Sequence, residues 1–358
     1  MPKVRLSGTV RGESDPARAS RAELLSELFT NGWDIHNSNG DEQITLGNIE
    51  EKIIRSDAFV FTPGATLEDY FKAISVFVGY QTLDANLQGK PTVILNGDGS
   101  WKPFYDLLSH LRELGTISQD YRDFLIHADH PSEVISHLTR LRKEGLPSVG
   151  RENEEDEVED TTSFETPLPE DSKGNVCVFC SATIEDEAYL SDGERLGREL
   201  AENQLGCVSG AGKTGVMGAV VRGSVDAGGW TGGSNVPHII RLEGLPKGLS
   251  SFWLRDDIYT RMEIMIDRSD SFIAFPGGAG TVQEVFALLI FKQQGHALME
   301  NKPVILFNRE NEHGVRFWDP FVRLLEEMCA PDMFHVVDEL DDLVPATLRK
   351  MKHYSERS

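Results

Sequence analysis

The feature that most constrains the fold is a repeated alternation of short, wholly apolar runs with longer amphipathic stretches. In the second half of the chain, runs such as VCVFC (residues 176–180) and PVILF (residues 303–307) alternate with stretches of helical periodicity such as TVQEVFALLIFKQQG (residues 281–295). Strands that are apolar throughout are buried on both faces, as in a parallel sheet covered by helices. The sequence therefore predicts an α/β fold built on a doubly wound parallel sheet.

The first half of the chain repeats this pattern in a fainter form. SDAFVFTPG (residues 56–64) matches SDSFIAFPG (residues 269–277), and each is followed by a helical stretch and then by a similar strand. The length of 358 residues also fits two domains, at about 100 to 200 residues per domain. We therefore predict two Rossmann-like domains related by duplication, over residues 1–147 and 175–358.

An acidic segment separates the two predicted domains. Residues 148–174 carry a run of Glu and Asp with two prolines, and they lack apolar periodicity. This composition predicts a solvated, mobile linker. An acidic docking tail is the functional alternative.

Composition narrows the classes of partner. The formal net charge of −23 disfavours nucleic-acid binding, which draws on Lys and Arg at phosphates. No window approaches the roughly 18 uninterrupted apolar residues of a membrane span, so we expect a cytoplasmic protein without a membrane partner. Cys177 and Cys180 form a CxxC, but no second CxxC completes a metal site. We therefore expect a buried strand there, and no metal.

The stretch PGGAGTVQE (residues 276–284) follows a predicted strand and opens a predicted helix. Glycines at 277, 278 and 280 allow the backbone to approach an anion closely, and the helix start supplies free N–H groups. A phosphate is the expected occupant. A structural alternative exists, because Thr281 and Glu284 have the spacing of a capping box.

A second glycine-rich loop, VSGAGKTGVMG (residues 208–218), also joins a strand to a helix. Its Gly212-Lys213-Thr214 resembles the end of a Walker A loop, but Cys207 stands where that pattern requires glycine, which disfavours hydrolysis of a nucleoside triphosphate. Two such loops at one edge of a sheet could together hold a nucleoside monophosphate. The residues expected to contribute from the second loop are Gly210, Gly212, Lys213, Thr214 and Gly215.

A third element is Arg261, on a predicted helix that leads into the strand before the first loop. GAGKTGVMG, Arg261 and PGGAGTVQE together resemble the Lonely Guy (LOG) family of phosphoribohydrolases, often mislabelled as lysine decarboxylases. The resemblance implies hydrolysis of the N-glycosidic bond of a nucleoside 5′-monophosphate, such as AMP or a cytokinin nucleotide, without organic cofactor or metal. A lysine decarboxylase would need a pyridoxal-phosphate lysine, which this pattern lacks.

The resemblance also implies roles for individual residues. Arg261 and Glu284 become the catalytic pair. The phosphate cradle becomes Gly277, Gly278, Gly280 and Thr281, and further residues expected at the pocket are Thr183, Met217, Asp257 and His238.

The chain departs from the family pattern at three places. Met262 replaces a lysine, Gly210-Ala211-Gly212 replaces three glycines, and Ser181-Ala182-Thr183 replaces Gly-Ser-Ser. We hypothesise that Lys213 restores the lost charge.

The first copy lacks these functional features. TPGATLED (residues 62–69) is two residues shorter than its counterpart, and Asn48 stands in the place of Arg261. Thr66 and Asp69 keep a spacing close to a capping box. We therefore expect a structural domain that pairs with the second as an intramolecular pseudo-dimer, or a homodimer as is typical of LOG-like proteins. A non-catalytic nucleotide sensor is the alternative function for the whole chain.

Overall fold

A computed structural model describes residues 1–7, 15–37, 55–84, 86–87, 89–117, 120–147 and 161–355. The chain divides into two compact units, one formed by residues 1–113 and 117–151 and the other by residues 114–116 and 152–358. Each unit has its own parallel sheet.

The sheet of the first unit has five strands within the described residues, in the order β2-β1-β3-β4-β5. Its strands are β1 (Lys3–Ser7), β2 (Asp34–Asn37), β3 (Ala58–Phe61), β4 (Thr92–Leu95) and β5 (Leu125–Ala128). Its helices are α1 (Asp15–Thr30), α2 (Leu67–Gln81), α3 (Lys102–Glu113) and α4 (Pro131–Glu144), with a 3₁₀ turn at Tyr121–Asp123.

Apolar side chains bury this sheet beneath its helices. Val4 and Val60 from the strands pack with Leu24 of α1 and Leu138 of α4, all fully buried. Strands buried in this way read as continuous apolar runs, which is why β3 and β4 could be recognised in the sequence.

The sheet of the second unit has seven strands within the described residues, in the order β12-β11-β10-β6-β7-β8-β9, and all pairings are parallel. Its strands are β6 (Asn175–Phe179), β7 (Gly206–Ser209), β8 (Thr231–Asn235), β9 (Ser251–Leu254), β10 (Ser271–Ala274), β11 (Val304–Phe307) and β12 (His335–Val337). Its helices are α5 (Glu187–Glu202), α6 (Gly215–Asp226), α7 (Pro237–Glu243), α8 (Ile258–Asp267), α9 (Ala279–Gln293), α10 (Asp319–Met328) and α11 (Leu340–Ser355), with a 3₁₀ turn at Ala297–Met299. The prediction of two α/β parallel-sheet domains is confirmed.

The order of strands in the second unit creates a switch point. From β6 the chain adds β7, β8 and β9 on one side, whereas β10, β11 and β12 lie on the other side. Loops that leave neighbouring strands in opposite directions open a crevice at the carboxyl edge of the sheet. The loops after β6, β7 and β10 meet at this crevice.

Part of the predicted linker is ordered against the edge strand β9. Phe164 and Phe252 exchange backbone hydrogen bonds of 3.0 and 2.8 Å, and Ser163 Oγ accepts from Leu254 N at 2.9 Å. These contacts differ from the prediction of a solvated linker extending to residue 174. They cover an edge that would otherwise expose unpaired backbone groups. Residues 148–160 lie outside the described residues, so mobility there stays a prediction.

Cys177 and Cys180 are buried free thiols, with Cys177 inside β6 as predicted. Of the helices in the described ranges, none is long and apolar enough to cross a membrane.

The strand orders β2-β1-β3-β4-β5 and β7-β6-β10-β11-β12 are alike. Duplication and pairing of the units stay predictions, and Asn48 lies outside the described residues.

Candidate functional site

The loop after β10 leads directly into helix α9. Gly278 is the N-cap residue, and the helix begins at Ala279. A side chain on Gly277 would collide with that of Thr281, which is 2% exposed. A Cβ on Gly280 would meet nothing within 4 Å. The first turn of α9 therefore faces open space at Gly280, where an anion could approach the helix N-terminus.

The capping-box alternative for Thr281 and Glu284 is wrong. Because α9 already begins at Ala279, both residues lie inside the helix rather than at its N-cap and third position. Glu284 is 7% exposed, and its Oε1 lies 3.9 Å from Nη1 of Arg261. The carboxylate is therefore available to the site and does not serve the start of the helix.

Arg261 is held by the start of helix α8. Asp257 caps this helix by accepting from the backbone N–H groups of Tyr259 and Thr260 at 2.8 and 2.9 Å. One turn later, Arg261 Nε donates to Ser234 O at 2.9 Å and Nη2 donates to Gly210 O at 3.2 Å. Its side chain is only 12% exposed. The structure thus uses Asp257, which was expected at the pocket, as the cap that positions Arg261.

The glycines of the loop after β7 are needed for close packing. A Cβ on Gly210 would overlap the guanidinium of Arg261. A Cβ on Gly212 would lie 2.7 Å from Glu243 Oε2. Gly215 has φ +57° and opens helix α6, so a side chain there would be strained. This loop therefore lies between Arg261 on one side and Glu243 on the other.

Hydrogen bonds fix the three loops of the crevice to one another. Ser181 N, after β6, donates to Pro276 O at 3.1 Å, and Ser181 O accepts from Met217 N at 2.9 Å. Thr214 Oγ1 donates to Ala182 O at 2.8 Å. The loop after β6 is thus bonded to both glycine-rich loops.

The remaining predicted pocket residues lie in different surroundings. Met217 is buried beneath the second loop, where its Sδ accepts from Gly212 N at 3.1 Å. Thr183 is exposed and bonds to Ser181 Oγ, and His238 is half-buried on α7. Lys213 is exposed, and its Nζ lies 2.6 Å from where a Cβ on Gly244 would be.

The electrostatics centre on Glu284. The pKa of its carboxyl is raised from an ordinary 4.5 to about 7. Burial is the main cause, Arg261 lowers the pKa, and the nearby charge of Glu243 adds to the increase. Near neutral pH the group can therefore hold or release a proton. No group of three or more His, Cys, Asp or Glu side chains within the described residues is arranged to hold a metal ion.

Glu243 is the site residue that the sequence analysis missed. It is the last residue of the short helix α7, and its backbone O accepts from Lys213 N at 3.4 Å. A glutamate before a glycine at a helix end is an ordinary sequence feature. Its contact with the second loop depends on tertiary packing, so no local pattern indicates it.

The matching loop of the first unit is built differently. Thr66 is the N-cap of α2, and it forms a complete capping box with Asp69. Asp69 is 3% exposed and also accepts from Ser7 Oγ at 2.9 Å. Asp69 therefore stabilises the start of α2 as part of the capping box. This role supports a structural interpretation of the first unit.

Comparisons with known proteins match the part of the chain that carries this site. A family model described as "Possible lysine decarboxylase" matches residues 217–344, a range that includes Arg261 and Glu284. A cytokinin riboside 5′-monophosphate phosphoribohydrolase of Rhodococcoides fascians is 33% identical over 141 residues, covering 39% of this chain and 69% of that protein. A protein of Oryza sativa subsp. japonica described as a probable enzyme of the same name is 30% identical over 193 residues, covering 51% of this chain and 80% of the relative.

The chain belongs to the LOG family. A third relative, the cytokinin riboside 5′-monophosphate phosphoribohydrolase of Mycobacterium tuberculosis, is 30% identical over 144 residues, 40% of this chain and 75% of that protein. The family model covers the chain from within α6 to within α11, so the first unit lies outside the matched range. The matched range therefore lies within the second unit.

Proposed function

We propose that the second unit hydrolyses the N-glycosidic bond of a nucleoside 5′-monophosphate, giving the free base and ribose 5-phosphate. The observation that carries this proposal is the buried pair of Arg261 and Glu284, 3.9 Å apart beside a glycine-rich helix start. The names of the relatives, which specify a riboside 5′-monophosphate, support the same substrate class. AMP and cytokinin-type nucleotides are the candidate substrates.

The phosphate would bind at the first turn of α9. Backbone N–H groups at a helix start attract anions, and nothing lies within 4 Å of where a Cβ on Gly280 would stand. Gly277, Gly278 and Thr281 complete the proposed cradle. This placement leaves the ribose near Glu284, one turn further along the same helix.

Glu284 would act on the ribose. Breaking the bond between C1′ and the base nitrogen develops positive charge on the sugar, which an ionised carboxylate stabilises, and the same group can orient water. Since burial raises the pKa of Glu284 to about 7, its ionised fraction grows as pH rises through that value. We expect base release to increase over the same range.

Arg261 would supply a fixed positive charge. Its guanidinium is held by the carbonyls of Ser234 and Gly210, so little reorganisation accompanies the reaction. From this position it would neutralise the phosphate or favour departure of the base.

The test is to incubate the purified protein with a panel of nucleoside 5′-monophosphates and to quantify released base and ribose 5-phosphate. Glu284→Gln should reduce release by at least about a hundredfold, on the scale of losing a positioned acid-base group. Glu300→Gln, at an exposed position in the same unit, serves as the matched control and should retain activity. Binding of nucleotides without any release would refute hydrolysis and favour the sensor alternative.

A further inference from the structure

Glu243 lies at the crevice without a role in the proposed chemistry. Its Oε2 is 2.7 Å from where a Cβ on Gly212 would stand, on the loop that also contacts Arg261 through Gly210. The residue as a whole remains partly exposed. Its backbone O is bonded to Lys213 N, which ties the end of α7 to the loop.

The location of Glu243 is not one that favours helix stability. A carboxylate at the C-terminal end of a helix meets the negative end of the helix dipole, which is unfavourable. Lys213 Nζ, 2.6 Å from the Cβ position of Gly244, brings a positive charge to the same end. The side chain of Lys213 therefore lies close to the end of α7, next to Gly244.

The start of α9 is more favourable for a phosphate than the end of α7. Glu243 and the end of α7 are both negative, whereas the start of α9 is positive. A nucleotide whose phosphate binds at α9 and whose ribose lies near Arg261 and Glu284 would direct its base toward the second loop. The effect of Glu243 on the pKa of Glu284 also places both carboxylates within one electrostatic environment.

We propose that Glu243 is a specificity-determining residue that accepts a hydrogen bond from the amino group of the leaving base. An ionised carboxylate only accepts hydrogen bonds, so it favours a base edge that presents an N–H and disfavours one that presents acceptors alone. Among the nucleotides of the proposed function, Glu243 would thus favour those whose base carries an exocyclic amino group. This inference rests on the proposed function of the second unit.

The test compares AMP with purine riboside 5′-monophosphate, which differs from it only by lacking the amino group. Wild-type kcat/KM should favour AMP, and Glu243→Ala should reduce that preference by about tenfold or more, as expected for a hydrogen bond to a charged acceptor. Glu243→Gln keeps an acceptor oxygen and should retain most of the preference. The measured quantity is the ratio of kcat/KM for AMP to kcat/KM for purine riboside 5′-monophosphate. Comparing this ratio between variants cancels the different leaving abilities of the two bases.

Glu202→Ala provides the matched control, because Glu202 is an exposed glutamate that also ends a helix. It should leave both kcat/KM values unchanged, and thermal unfolding should confirm that each variant is folded. An AMP preference that is the same in wild type and Glu243→Ala would overturn the inference while leaving the hydrolase proposal intact.

Failure of the proposed function gives a different result. If wild type releases no base from either nucleotide, hydrolysis is refuted, and the ratio of the two Kd values in the same variants decides the role of Glu243. A Kd ratio that falls by about tenfold in Glu243→Ala would support base recognition. An unchanged Kd ratio would refute it.

Discussion

Replacing Glu284 by glutamine should stabilise the second unit at alkaline pH. Burial raises the pKa of this carboxyl from 4.5 to about 7, so the folded state binds its proton more tightly than the unfolded state does. As pH rises from 4.5 to 7, the unfolded state loses the proton first and folding stability falls. Above pH 7 the full cost of burying the charge is present. Glutamine cannot ionise, so it avoids this cost.

The magnitude follows from the two pKa values. The interval from 4.5 to about 7 corresponds to about 3 kcal/mol, since one pKa unit is about 1.4 kcal/mol. Glu284→Gln should therefore be more stable than wild type by about 3 kcal/mol near pH 8.5. Near pH 5.5 the same linkage leaves about half of that difference.

Amide hydrogen exchange in β10 and α9 measures this stability in the second unit without interference from the first. Wild type and Glu284→Gln would be compared at both pH values, with Glu300→Gln as the control for loss of an exposed charge. A difference that does not grow with pH would refute the argument. Destabilisation at pH 8.5 would show that the ion pair with Arg261 outweighs the burial cost. Stabilisation together with lost base release would show that the site is maintained at the expense of stability.

Four other substitutions test the roles of single residues. Gly210→Ala should displace Arg261 and reduce kcat about a hundredfold, as measured by base release. Gly280→Ala should stabilise α9 by about 0.5–1 kcal/mol in thermal unfolding. The same substitution should raise KM, because the added methyl group enters the phosphate cradle. Lys213→Ala should weaken nucleotide binding in a titration if Lys213 replaces the missing family lysine; an unchanged Kd would dismiss that hypothesis. Thr66→Ala removes a capping box and should cost about 1 kcal/mol in denaturant unfolding, with base release unaffected.

Strands that are apolar throughout could be predicted from the sequence, but β8 could not. Its sequence, TGGSN, has low strand propensity, yet all five residues are buried. A Cβ on Gly233 would lie 2.7 Å from that of Ala211, and one on Gly232 would lie 2.7 Å from the ring of Trp230. The strand therefore forms because close neighbours require small residues, and that requirement is visible only in the packed structure.

The site was predictable to the extent that local patterns define it. Glycine spacing after a strand indicated that a helix starts at this loop, although the helix begins at Ala279, two residues before the predicted stretch. The pairing of Arg261 with Glu284 came from family resemblance, because the two residues lie on separate helices and no spacing links them. Neither a local sequence pattern nor the family resemblance indicated the contact of Glu243 with Gly212. Contacts between distant elements thus remained beyond local sequence analysis.

The two matching loops show how a small difference in length separates folding from binding. Both contain a threonine followed three residues later by an acidic residue, Thr66 with Asp69 and Thr281 with Glu284. In the shorter loop the threonine caps the helix and the acid returns a hydrogen bond to it. In the longer loop, the extra residues move the N-cap back to Gly278, and the helix begins before the threonine is reached. Glu284 is thereby released from capping and lies on the inner side of α9 beside Arg261, where burial rather than hydrogen bonding controls its charge.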